Sequence, residues 1–357
     1  MPRDGLMPLM DTPSAPIRLA RRKHYAVASR SLCLEAEDEE ASRPFERIYA
    51  GWHLHPREAD TGAAPDVTIR VRRGSPPPLR PDGLESFETA GGWLCRAGEN
   101  TYSHEGRGFS IRAEEDPRRV DVWLGDAGQE RTPLAFARLV FEATSAALRR
   151  CGLFDLHAAA CVEPRSGACV LLAGPSGSGK STLTMRLAAR GWQYISDDSL
   201  LLAEADGAVE AWGVRRAFAV TKEAHAAELV PGLKDVATRA VPFDPLKLRF
   251  HPRDLFPEGF TEKGAPRVLF FASLSHERES RCRELPQWEA MSRLLRMCPW
   301  ACYDRAAARG YVAALAALTR QCVCHELRAG TDLLGDLDYA AAYVSAHVPV
   351  GATALSV

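Results

Sequence analysis

No run of 18 apolar residues occurs in this 357-residue chain, so no membrane-spanning helix is expected. Charge of one sign is just as scarce. Basic and acidic side chains balance to a formal net charge of −1, so nothing pulls the whole molecule towards nucleic acid or an anionic membrane. Residues Met1 to Ala15 contain Asp4, Asp11 and several prolines and lack the basic-then-apolar layout of a signal peptide. Internal repeats and low-complexity tracts are missing. Cysteine is not scarce, at ten residues, yet it forms no metal framework. The tight cluster Cys322-Val323-Cys324-His325 has no second Cys/His pair at zinc-finger spacing. Strand alternation would put Cys322 and Cys324 on one face and His325 on the other. Cys95, Cys161 and Cys169 sit in apolar runs and are expected to be buried small hydrophobes. The expectation is a reduced, cytoplasmic protein without disulfides.

What is present is a complete phosphate-binding loop. Residues 174–181 read Gly174-Pro175-Ser176-Gly177-Ser178-Gly179-Lys180-Ser181, followed by Thr182. The glycines let successive N–H groups curl inward around an anion, and the following helix start adds partial positive charge. Lys180 has the reach for β- and γ-phosphates, and the Ser181 hydroxyl suits Mg²⁺. The flanks agree with the motif. Ala168 to Ala173 is a short apolar run of strand type, and Ser181 to Arg190 reads as a helix stopped by Gly191.

Around that centre the chain divides by texture. Residues 1–16 are expected to be disordered. Residues 17–131 form a β-rich α+β module: Val67, Ile69 and Val71 alternate with Thr68, Arg70 and Arg72, and further short runs occur at Trp93–Arg96, Phe109–Ala113 and Val120–Leu124. The basic run Arg18–Lys23 and the acidic run Glu35–Glu40 read as solvated faces. A connecting helix over 132–152 starts with Thr132 as N-cap and Pro133 at N1. It presents Phe136, Leu139, Val140, Ala143 and Ala147 on one face and ends in Arg149 and Arg150, which complement its dipole. Residues 153–357 then form an α/β domain. Its strands are expected at Phe154–Val162, Trp192–Ser196, Leu200–Leu202, Val209–Trp212, Pro266–Ala272 and Cys322–Leu327, and its helices near Trp288–Met297, Ala306–Thr319 and Leu337–Ala346.

A phosphate loop alone does not choose among kinases, GTPases, transporters and motors. The Leu-Ser-Gly-Gly signature of transporter ATPases and the Asn-Lys-x-Asp motif of GTPases are both missing. Instead a strand ends in Ser196-Asp197-Asp198, 18 residues after Lys180. Adjacent carboxylates at a strand end project in different directions. One can face metal and nucleotide while the other accepts a proton from an incoming hydroxyl, the division of labour that phosphoryl transfer to an alcohol needs.

Taken together, a His-containing strand (His157), the phosphate loop, Arg190-Gly191 and Ser196-Asp197-Asp198 resemble HPr kinase/phosphorylase and its relatives in order and spacing. The resemblance covers about residues 153–202 and does not extend to the N-terminal half. It implies a P-loop kinase domain of that type, with a mixed sheet and flanking helices, using ATP and Mg²⁺. Lys180 would hold the β/γ-phosphates and Ser181 the metal. Asp198 would accept the proton, Asp197 would support the metal or orient Asp198, and His157 would lie beside the pair. Glu210, in Val209-Glu210-Ala211-Trp212-Gly213, is the nearest match to a family metal-ligand glutamate. A later arginine that stabilises the moving phosphoryl group is matched best by Arg249, with Lys247 and Arg253 as other candidates. The implied acceptor is a serine on a peptide or small protein, divergent relatives being peptide-tailoring kinases, and a homo-oligomer is implied. The residues leave open a nucleotide-dependent switch or ATPase without transfer, a small-molecule kinase, and GTP or pyrophosphate as donor.

Overall fold

The computed structural model describes residues 21–58, 63–77, 84–89, 92–97, 101–106, 108–113, 116, 118–125, 133–241 and 244–349. The expected N-terminal disorder and the Thr132 cap lie outside them. The chain is a mixed α/β structure containing several sheets.

The first half is organised on a nine-stranded sheet. Its strands are β1 (Arg21–Val27), β2 (Arg30–Ala36), β3 (His55–Arg57), β4 (Val67–Arg73), β5 (Leu84–Thr89), β6 (Gly92–Ala97), β7 (Thr101–Gly106), β8 (Phe109–Ala113) and β9 (Arg119–Leu124), in spatial order β3-β1-β2-β4-β9-β8-β7-β6-β5. Strands β2, β4 and β9 run parallel, and the remaining pairs are antiparallel. A parallel pair needs a crossover, and helix α1 (Glu39–Tyr49) supplies it between β2 and β4. The Asp38 side chain caps α1 by accepting from Ala41 N–H. Helix α2 (Pro133–Arg150) packs on the same sheet face. Val67, Ile69 and Val71 join Phe45, Tyr49, Leu139, Val140 and Ala143 in one core. Each valine, isoleucine, leucine or phenylalanine among them contributes roughly 1.5–3 kcal/mol when buried. The sheet's other face carries charge. Glu35 takes Arg22 and Arg70, and Asp121 takes Arg72 and Arg119.

Helix α1 was not foreseen. Its acidic first turn, Glu39 and Glu40, reads as part of the solvated acidic run, but Ala41, Phe45 and Tyr49 make a buried stripe below it. The basic and acidic runs pair with each other rather than facing water separately: Arg21 meets Glu39 at 2.8 Å and Arg22 meets Glu35.

After α2 come β10 (Leu153–Leu156), β11 (Ala158–Val162), β12 (Cys169–Ala173), α3 (Lys180–Ala188), β13 (Gln193–Ser196), β14 (Leu200–Ala205), β15 (Ala208–Gly213), β16 (Phe218–Thr221), α4 (Lys222–Ala226), β17 (Arg239–Val241), β18 (Asp244–Phe250), β19 (Lys263–Gly264), β20 (Pro266–Leu274), β21 (Arg281–Glu284), α5 (Gln287–Met297), α6 (Trp300–Tyr303), α7 (Arg305–Gln321), β22 (Val323–Ala329), α8 (Thr331–Gly335) and α9 (Leu337–Ser345). A six-stranded mixed sheet, β13-β11-β12-β20-β22-β21, is parallel along β12-β20-β22 and antiparallel elsewhere. Central strands covered on both faces read as unbroken apolar runs, and β12 shows how that is used. Cys169, Leu171 and Ala173 face the core built with α5 and α7, whereas Val170 and Leu172 face the core built with α3 and α9.

The structure departs from the expected strand at Phe154–Val162 and from the expected burial of Cys95. The run Phe154–Val162 is not one strand. Strand β10 belongs to a four-stranded sheet, β10-β14-β15-β19, and β11 to the six-stranded one, with His157 between them. Arg149 and Arg150 do lie in the last turn of α2. Their side chains are buried, Arg149 pairing with Asp155 (3.0 Å) and Asp304 (3.4 Å) and Arg150 with Asp304 (3.2 Å). Cys95 is half-buried, although Cys161 and Cys169 are fully buried as expected. Cys324 and His325 do face opposite ways: Cys324 joins the α5/α7 core, and His325 stacks on Phe270 of the other. Among the described residues no group of three or more His, Cys, Asp or Glu is arranged to hold a metal, and no helix is long and apolar enough to cross a membrane.

Candidate functional site

The site lies where two sheets separate. Strand β11 pairs with β13 (Ala160↔Ser196), and β10 pairs with β14 (Leu156↔Leu200). The same two antiparallel segments therefore change sheets at the same level, at His157 on one and at Asp197–Ser199 on the other. Ser196 fixes the second crossing: its buried hydroxyl accepts from the N–H groups of Asp198 (3.5 Å) and Ser199 (3.3 Å). A serine or threonine hydroxyl forms this local turn readily.

Beside the gap run β12, the glycine-rich loop of residues 174–179 and α3. Gly174, Gly177 and Gly179 have φ of +156°, +83° and +90°. A Cβ on Gly174 would sit 2.5 Å from the Ala272 carbonyl oxygen, and one on Gly179 2.7 Å from Leu274. Substitution would thus fill the cradle and strain the backbone at once. The Ser178 hydroxyl is buried within the loop and lacks a hydrogen-bond partner among the described residues. The donor set fits a polyphosphate.

The Lys180 ammonium donates to the Gly174 and Pro175 carbonyls at 2.8 and 2.9 Å and lies 3.3 Å from His157 Nε2. Since an ammonium can only donate, Nε2 accepts and the His157 proton resides on Nδ1. That nitrogen lies 3.0 Å from Asp198 Oδ1, and the other carboxylate oxygen takes Arg215 at 2.7 Å. A continuous chain, Lys180–His157–Asp198–Arg215, results. Burial holds both Lys180 and His157 below their ordinary pKa. Asp198 opposes that shift in both, and Lys180 adds to it in His157.

The two carboxylates differ. Asp197 is buried, and its Oδ2 accepts from Ala219 N–H at 3.1 Å. Burial, reinforced by Asp198, pushes its carboxyl up to about 6. Asp198 is partly exposed and faces the cleft. The Ser181 hydroxyl donates to the Asp197 carbonyl at 3.4 Å. Ser181 and Asp197 together offer a hydroxyl and one carboxylate, a sparse set that suits Mg²⁺, which takes one or two carboxylates and completes its shell from phosphates and water.

His157, Lys180, Ser181, Asp197, Asp198 and Arg215 line one cleft of about 640 Å³, a size that suits a nucleotide-sized ligand. Lys247 and Arg249, on one face of β18, both line it. Lys247 pairs with Asp244 at 3.2 Å. Arg249 is half-buried, and burial together with the nearby Arg215 lowers its pKa. Arg253 is not brought in, since its guanidinium lies over the Phe260 ring. Glu210 is not brought in either. It points from β15 to Lys263, 2.7 Å away, and does not line the cleft. The expectation that Glu210 joins the metal ligands is therefore corrected: the register of β15 places it on the side of Lys263.

Arg215 was missed. No motif marks Gly213-Val214-Arg215-Arg216, and its position depends on a distant segment. Trp52 and Arg215 form an antiparallel bridge, His53 N–H donates to the Val214 carbonyl (2.7 Å), and Arg216 N–H donates to the Gly51 carbonyl (3.0 Å). The N-terminal half thus holds the backbone that carries Arg215, and Arg47, Ile48, Trp52, Ala137 and Phe141 line the cleft from that side.

No protein-family model matches the chain, and no curated protein does. Among solved structures, a similar chain is the Hpr(Ser) kinase/phosphatase from Coxiella burnetii, at 16% identity over 37% of this chain and 77% of that one, with a TM-score of 0.23. A TM-score that low carries no argument about the site.

Proposed function

We propose that this protein is an ATP- and Mg²⁺-dependent kinase that transfers the γ-phosphoryl group to a serine hydroxyl of a peptide or small protein. One observation carries the reading: within a single cleft, the phosphate-loop lysine and the Asp198 carboxylate are joined through one histidine, at 3.3 and 3.0 Å. Phosphate and proton acceptor would then lie within one substrate's width of each other.

The loop from Gly174 to Thr182 would bind the phosphates through its N–H groups, and Lys180 would neutralise charge on the β/γ oxygens. Ser181 and Asp197 would hold Mg²⁺, which when bound offsets charge on the phosphate oxygens. The acceptor oxygen forms its bond to phosphorus as the bridging P–O bond breaks, and its proton passes to Asp198. A carboxylate has about four lone-pair sites, so Asp198 can accept that proton's hydrogen bond while it keeps His157 and Arg215. His157 orients Asp198, and Arg249 would meet charge spreading onto the moving group. The cleft's chemistry is positioning and charge neutralisation.

Incubation with γ-labelled ATP, Mg²⁺ and serine-containing peptides tests this. Label on polypeptide supports the kinase. Label released only to water would replace it with a nucleotide-dependent switch, and label on a sugar or nucleoside with a small-molecule kinase. Asp198→Asn should lose transfer yet retain ATP binding; loss of binding would remove Asp198 from the role of base.

A further inference from the structure

The cleft has two chemically different ends, and the segment from Arg215 to Ala224 runs between them. Arg215 touches Asp198, Ala219 touches Asp197, and Thr221 begins α4 beyond them. At the Thr221 end the lining includes Thr182, Met185 and Ala224. A nucleotide with its terminal phosphate at Lys180 and its inner phosphates at the start of α3 would place its nucleoside at that end. The acceptor would then enter at the Asp198 end, where Arg215 is bridged to Trp52 just after α1, and Arg47, Ile48 and Phe141 are among the residues that line the cleft.

The charges at that end do not balance. Asp198 is satisfied by His157 and Arg215. Arg47, in the last turn of α1, is exposed and takes part in no ion pair among the described residues; its neighbour Glu46 is taken by Lys23. Ile48 and Phe141 beside it are only partly buried. A cation next to an apolar shelf complements an extended segment that carries a carboxylate and an apolar side chain close to the reacting hydroxyl.

Resting on the kinase reading, we propose that the α1/α2 wall is the acceptor's docking face and that it selects serine peptides bearing an acidic residue beside the serine, with Arg47 reading the carboxylate and Ile48 and Phe141 receiving an apolar neighbour. The N-terminal half is then a specificity element built into the catalytic cleft.

Synthetic peptides that differ only in Glu, Ala or Lys at the positions flanking one serine, assayed with γ-labelled ATP, test this. Wild type should favour the Glu peptides about tenfold or more over the Lys peptides. Arg47→Glu should reverse that order through KM rather than kcat, and Phe141→Ala should raise KM for every peptide; thermal melting checks that both variants fold. Transfer with no charge preference, or with the same preference in Arg47→Glu, overturns the docking face and leaves the kinase reading standing. ATP cleavage with no transfer to any peptide overturns both.

Discussion

Two chains of charge meet within three residues of each other, and they are built for opposite ends. Arg149 and Arg150 pair with Asp155 and Asp304, with both arginines and Asp304 almost wholly out of solvent. Arg149 also lies against the Trp300 ring, 4.6 Å from its centroid. Two residues beyond Asp155, His157 begins the second chain, through Asp198 to Arg215 and back to Lys180. Its members are about 30–40% exposed, save the lysine, and open on the cleft. The first chain ties α2 to β10 and to the start of α7, and its opposite charges face one another within the fold. The second leaves lone pairs and donors within reach of a ligand. Ionic groups paired away from solvent serve the fold; similar groups with one side on a cavity are available for chemistry.

The contrast can be broken by substitution, and the largest effect is expected in the first chain. Asp304→Ala leaves two buried guanidinium groups short of a carboxylate and should cost about 3–5 kcal/mol of stability, read by denaturant titration. Turnover per folded molecule should persist. Lys180→Ala should do the reverse: phosphoryl transfer falls on the order of 10²–10³-fold while the denaturant midpoint changes little.

Asp197 sharpens the comparison by pH. Its ordinary value is 3.8, and the fold raises it to about 6, so the folded protein holds this proton more tightly than the unfolded chain. Its contribution is therefore most favourable below about pH 4 and is lost as pH rises through about 6. In Mg²⁺-free buffer Asp197→Asn should match wild type near pH 4 and exceed it by on the order of 1–3 kcal/mol above about pH 7, read by thermal melting across pH. Equal stability at both ends would mean that burial does not govern this carboxyl. The smallest effect is expected at Glu210. Its partner is a half-exposed lysine, so Glu210→Ala should change stability by no more than about 1 kcal/mol and leave transfer intact.

How much of this was legible depended on whether the signal was local. The strand, loop and helix from Cys169 to Ala188 follow from an apolar run and glycine spacing. So does the turn at Asp206-Gly207, where both residues have positive φ between paired strands. Helix α2 was read from its apolar stripe, but the burial of Arg149 was not, because its partner Asp304 lies on another element. The break at His157 was invisible for the same kind of reason: apolar residues flank it on both sides, and only strand pairing divides them. Arg215 has no local signature, since its place is set by backbone contacts to Gly51–His53. Glu210 is the converse, a local match whose strand register turns it away.

The paired crossing at His157 and at Asp197–Ser199 has a mechanical consequence. The side chains of His157, Asp197 and Asp198 hang from peptide units that are not rungs of either ladder, while the residues immediately before and after these stretches are. Small reorientations of these groups as a ligand arrives therefore need no strand to unzip, and the surrounding sheets fix how far such adjustments can spread.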